Sequence, residues 1–170
     1  VVVYLVPFLK YPANPPAVTF TSVVSGMGSY LWDVDLNAAI PHTASADLDM
    51  TLTSPGLTTI VVSTDNGGLN DNVFNGTMWD DDANPAGAVP YTTNNGVVTE
   101  HVYADLTLAS PLVPEEALGA FLGEDPNGTW TLTISDDAAG DGGAVTWSLN
   151  LSTLPAPPVI ANTMVANATP

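Results

Sequence analysis

Apolar and polar residues alternate most regularly between positions 129 and 151. Trp130, Leu132 and Ile134 are separated by Thr131 and Thr133, and Val145, Trp147, Leu149 and Leu151 by Thr146, Ser148 and Asn150. A period of two places the bulky groups on one face, which predicts two half-buried strands on a common core. The segment between them, SDDAAGDGG, is glycine-rich and acidic, a sharp bend that presents Asp136, Asp137 and Asp141.

The same period predicts strands at residues 18–20 and again where Trp32, Val34 and Leu36 alternate with Asp33, Asp35 and Asn37, with Gly26 and Gly28 at the turn between. Residues 46–64 read as a hairpin with Leu48, Met50 and Leu52 pointing inward. Residues 65–96 are crowded with Asp, Asn and Gly, and an irregular stretch of that length inside a domain is usually functional or ordered by a ligand. A strand is expected over 97–109, with Val98, Val102, Ala104, Leu106 and Leu108 on one face. Residues 110–124 are where a helical turn fits, with Pro114 at its start and Gly119 and Gly123 limiting it.

Both ends of the chain break the alternation. Residues 1–11, VVVYLVPFLKY, are nearly all apolar, and Pro7 suits a sheet edge better than a sheet centre. Two readings stay open: a first strand of the chain's own sandwich, or a strand carried on the stiff YPANPPA tether to a neighbouring copy. On the second reading Val1, Val2, Val3, Tyr4, Leu5, Val6, Phe8 and Leu9 are the self-association residues. The Pro- and Ala-rich tail, residues 154–170, has apolar pairs at Val159-Ile160 and Met164-Val165 that suit a similar contact.

Charge sharpens this picture. The 170 residues include one Lys and no Arg against 18 acidic residues, for a net charge of -17. Such a surface repels nucleic acid and anionic lipid, so neither is an expected partner. No apolar run approaches the roughly 20 residues of a membrane span, and no membrane insertion is expected. Without cysteine, disulfides and thiolate metal sites are excluded. A start at Val1 fits a matured secreted chain, with an extracellular or cell-surface location expected.

Carboxylates at this density invite a hard cation, because calcium takes six to eight oxygens from carboxylates, amides and carbonyls. The candidate ligands are Asp65, Asp71, Asp80, Asp81 and Asp82 in the irregular middle and Asp136 and Asp141 in the late bend. The alternative is a set of solvated acidic turns, and adjacent aspartates cannot all face one ion. Two histidines, His42 and His101, lack any nucleophile-elbow segment to serve, so no enzyme is expected. Of the glycosylation acceptor patterns, those at Asn75 and Asn167 lie outside predicted strand motifs.

The late segment also resembles the C-terminal half of the P domain (Homo B domain), which follows the catalytic domain in kexin- and furin-like proprotein convertases. The residues that carry the likeness are Gly123, Asp125, Asn127-Gly128-Thr129-Trp130, Leu132, Asp136, Asp141, Gly142 and Trp147-Ser148-Leu149. Upstream, His42-Thr43 and DLDMTLTSPG (residues 47–56) resemble that family's early hairpin, and FNGTMWDDDA (residues 74–83) its acidic middle segment. The pattern departs after Pro55, where Gly56-Leu57-Thr58-Thr59 replaces a Gly-Thr step. The resemblance implies calcium at acidic loops and a structural place for His42.

The fold expected is an all-β, antiparallel, jelly-roll-like β-sandwich over residues 17–153, with an extra apolar N-terminal strand and linker (1–16) and an extended C-terminal tail (154–170). The first functional reading is a non-catalytic, calcium-stabilised extracellular subunit that self-assembles into a homo-oligomer or filament by exchanging its N-terminal strand. The alternative is an accessory P domain that stabilises or positions a subtilisin-like secreted protease.

Overall fold

A computed structural model describes residues 17–83, 101–138 and 143–155, together with the backbone of Leu9–Lys10. The strands are β1 (Leu9–Lys10), β2 (Val18–Val24), β3 (Tyr30–Ala39), β4 (Leu48–Thr53), β5 (Thr59–Ser63), β6 (Asn75–Trp79), β7 (Gly128–Asp136) and β8 (Ala144–Leu154). They form two antiparallel sheets, β1-β8-β3-β6 and β2-β7-β4-β5. The all-β sandwich expected from the alternation is therefore present.

Its two tryptophan-bearing strands do not form a hairpin. β7 lies inside one sheet, between β2 and β4, and β8 inside the other, between β1 and β3. β7 and β8 follow one another in the chain yet lie in opposite layers, so Trp130 and Trp147 reach the core from opposite sides. Leu132 lies opposite Leu52 on β4, and Leu149 opposite Leu36 on β3, with all four side chains buried. Trp130 is fully buried, packs edge-on against Phe121 at a centroid distance of 5.2 Å, and donates its indole N–H to the Pro126 carbonyl at 2.9 Å.

The two sequence motifs that carry the family likeness meet in space. Gly128 has φ +134°, and a Cβ there would lie 2.8 Å from Pro55 Cβ. Ser54 and Thr58 donate their hydroxyls to the carboxylate of Glu124. The turn after Pro55, where the sequence departs from the family pattern, puts Leu57 at φ 68° with its side chain in solvent.

Four expectations change. Trp32 does not point inward: a β-bulge between Leu31 and Asp33 shifts the register against β8, so Leu31 takes the core position and Trp32 is 58% exposed. The irregular middle contains a strand, β6, whose Thr77 and Trp79 are buried. Within the expected strand over 97–109, the described part is a loop. Val102, Ala104, Leu106 and Leu108 are exposed, Val102 makes an isolated bridge to Gly67, and Leu106 turns the chain at φ 54°. Residues 97–100 lie outside the described residues. The helical turn is a short 3-10 segment, Leu118–Phe121, which starts beyond Pro114 because its first N–H groups find their partner in a distant aspartate.

At the N-terminus, Leu9 and Lys10 pair with Val145 and Ala144 of the same chain. At that point β8 is paired by the chain's own segment. Val1 to Phe8 and residues 156–170 lie outside the described residues.

Candidate functional site

The bulge in β3 turns Trp32 and Asp33 outward together, and Asp35 follows on the solvent side while Val34 and Leu36 enter the core. Bulges commonly re-aim a side chain in this way. Facing these residues is the loop after β6, Asp80–Asp82, and beyond it the 3-10 segment with Gly119 and Leu122. Between them runs a groove of about 620 Å³, walled by the Trp32 indole and Leu122 and edged by five aspartates, Asp33, Asp35, Asp80, Asp81 and Asp82.

Two of the five are held by backbone. Asp81 accepts the N–H groups of Leu118 at 2.9 Å and Gly119 at 2.7 Å, one on each carboxylate oxygen, and so caps the 3-10 segment. Asp80 accepts the N–H of Asp82 at 2.7 Å, and its own N–H reaches the Leu112 carbonyl at 2.9 Å. Asp35 is pushed up from the ordinary carboxylate value, first by partial burial and then by the charges of Asp80 and Asp33, while Asn150 opposes the shift. The groove therefore concentrates repulsion between like charges.

A pH dependence follows. A carboxyl whose pKa is raised in the fold binds its proton more tightly there than in the unfolded chain, so its charge opposes folding at neutral pH and that opposition fades as pH falls through the raised value. Asp49, raised by burial and by Asp137 and Asp65, acts in the same direction. Asp125, lowered by hydrogen bonds from Asn127, and His101, lowered by burial, act oppositely and lose stability as pH falls. Asp35→Asn is expected to melt higher than the parent at pH 7, the difference closing as pH approaches the carboxylate range near about 4. Melting curves across that range measure it.

The candidate calcium ligands are dispersed. Asp80, Asp81 and Asp82 share the groove. Asp65 is exposed at φ 53°, its N–H directed to the Asp49 carboxylate. Asp71 donates its N–H to Asp105 at 2.8 Å. Asp136 is buried against the His42 Nε2 at 3.3 Å and accepts the Ala138 N–H at 3.1 Å. Asp141 lies outside the described residues. Among the described residues, no group of three or more His, Asp or Glu side chains stands close enough together to hold a metal ion.

Asp33 and Asp35, absent from that candidate set, are the groove residues sequence reasoning missed. Their signal was the WDVDLN alternation, which puts both carboxylates on one face of one strand. His42 sits where the resemblance implied, as a structural residue: it is 3% exposed, with Nδ1 2.7 Å from the Ala44 carbonyl and Nε2 on Asp136. The Asn127 amide is likewise engaged, accepting the Met27 N–H at 2.9 Å and donating to the Met27 carbonyl at 3.0 Å.

These features define a class: an acidic, cysteine-free β-sandwich whose late motif, Asn-Gly-Thr-Trp, locks onto an early Ser-Pro-Gly turn. The sequence pattern of the proprotein convertase P-domain matches residues 31–151, and the chain belongs to that family. A search of curated proteins gives no match. Among solved structures, the chain is similar to the serine protease of Aeromonas sobria, both alone and in complex with the chaperone ORF2. In each case the TM-score is 0.45 with 15% identity, covering 89% of this chain and 27% of that one. The chain thus spans about a quarter of the length of the solved proteins it matches. Among the described residues, no helix is long and apolar enough to cross a membrane.

Proposed function

We propose that this chain is a non-catalytic accessory module of a secreted serine protease, stabilising or positioning the catalytic domain. The observation that carries the reading is the family match over 31–151, which falls on the sandwich core rather than on its ends. The geometry of His42 supports it. An imidazole buried against Asp136 and Ala44 fastens the early hairpin to the end of β7 and is not presented to a substrate. The pairing of Leu9 with Val145 in the same chain gives strand exchange between copies no support at that position.

The experiment is thermal inactivation of the protease that carries or accompanies this chain, with residues 31–151 present and deleted. The half-life of proteolytic activity is expected to fall severalfold on deletion, and an unchanged half-life would refute the stabilising role. Calcium, which the family likeness implies, belongs to the same proposal: chelation is expected to lower the Tm of the 170-residue chain, while coincident melting curves would remove calcium from its folding free energy.

A further inference from the structure

The groove between β3 and the Asp80–Asp82 loop adds to its aspartates something a solvated acidic turn does not need, two apolar side chains turned out of the core, Trp32 and Leu122. The bulge that exposes Trp32 also places it beside Asp33, with Leu122, itself 49% exposed, on the facing side. We propose that this groove is a docking site for a cationic, apolar-flanked segment of a protein partner, an arginine stacking on Trp32 while Asp33 and Asp80 receive its guanidinium.

Charge complementarity selects the occupant. Guanidinium is the group that both stacks on an indole face and pairs with carboxylates, and a cation over an indole is attracted by the ring itself. A segment bringing positive charge relieves the mutual repulsion of the aspartates, which is the electrostatic term that favours one partner over others. A second copy cannot supply it, because this chain has no Arg and one Lys. A bare metal ion fits less well. Asp81 already has both oxygens on backbone N–H groups, Asp80 has one so engaged, and Trp32 and Leu122 offer no ligand atoms. The volume, about 620 Å³, suits a few residues of chain.

The proposal rests on the accessory reading only in taking the partner to be a protein, and its test does not involve the protease. The probe is an acetylated hexapeptide with two arginines and two leucines, titrated against the 170-residue chain by calorimetry, with a citrulline-for-arginine version as the neutral control. Binding is expected for the arginine peptide, weaker by about tenfold or more for citrulline, and weakening as salt rises. Trp32→Ala and Asp33→Asn, both at exposed positions, are each expected to lower affinity about three- to tenfold. Asp137→Asn, just past the end of β7 in the other sheet, should leave it unchanged.

Equal affinity for both peptides, or indifference to Trp32→Ala and Asp33→Asn in variants whose melting curves show them folded, would overturn the proposal. So would displacement of the peptide by calcium beyond that of sodium chloride at equal ionic strength, which would assign the groove to an ion. In each of these outcomes the half-life experiment on the protease stands unaffected.

Discussion

His42→Ala is expected to be among the most damaging single substitutions in the described structure. It would leave the Asp136 carboxylate, 3% exposed, without the imidazole at 3.3 Å. Removing one hydrogen-bond partner of a buried polar group costs roughly 1–3 kcal/mol of desolvation, more for a charged group, and here only the Ala138 N–H at 3.1 Å remains on the carboxylate among the bonds described. The Nδ1 contact to Ala44 disappears as well, freeing the segment that leads into β4. Asp136→Asn keeps the shape and removes the charge, so the double variant His42→Ala/Asp136→Asn is expected to be less destabilised than the sum of the two singles, by about 0.5–3 kcal/mol. Chemical denaturation of the four proteins measures that difference, and strict additivity would show that the two side chains do not act as a unit.

Trp130→Ala should rival it for a different reason. Trp130 is fully buried between the layers, edge-on to Phe121, with its N–H on the Pro126 carbonyl. Truncation loses the apolar transfer term, leaves a cavity, and orphans that carbonyl, together roughly 3–5 kcal/mol. For a chain of this size that is a fall in Tm of roughly 6–20 °C. Trp32→Ala provides the contrast: at 58% exposure on the outer face of β3, it should change stability by no more than about 0.5 kcal/mol. A comparable loss at both tryptophans would contradict the bulge that turns Trp32 out of the core.

What could be read from the amino acids follows from where the period of two is clean. β4, β7 and β8 alternate without interruption, and their inward apolar residues are the ones anticipated; Asp136, read as a carboxylate presented by the acidic bend, instead ends β7 and is buried. At Trp32 the pattern misled, since a bulge adds one residue and reverses the face of everything on one side of it. Leu31 and Val34 are both buried although they are three positions apart, a spacing that no uninterrupted strand allows. β6 was hidden because Asn75-Gly76-Thr77 looks like a turn, while its burial depends on Thr77 donating to the Ala109 carbonyl at 2.9 Å and on Trp79 packing against Phe74. Ala109 lies 32 residues away, beyond the reach of a local pattern.

The opposite error occurred over 101–108. Apolar side chains at every second position imitate a strand, but this stretch has only an isolated bridge to Gly67, and an alternating segment without a ladder remains a loop. The candidate site was half legible for a related reason. Asp80, Asp81 and Asp82 stand out as a run, whereas Asp33 and Asp35 join them only because β3 pairs with β6, a long-range contact that composition does not announce.

Acidic residues also proved to be structural more often than their number suggested. With a single Lys and no Arg in the chain, carboxylates find hydroxyl and amide donors instead. Glu124 takes Ser54 and Thr58, Glu115 takes Thr64 and Asn66, and Glu116 takes the Val61 N–H at 2.7 Å. Charge-assisted bonds of this kind are the stronger class of hydrogen bond. They tie residues 115–124 to the β4–β5 hairpin.

The central claim is that this module works beside a catalytic domain and performs no hydrolysis itself. The most direct measurement is labelling of the native protein with a fluorophosphonate probe that marks reactive serines, followed by mass spectrometry of the labelled peptide. The account predicts a labelled serine on polypeptide outside these 170 residues, contiguous with or tightly bound to them. A label on a serine within the sandwich, or a native preparation that holds no reactive serine at all, would contradict it.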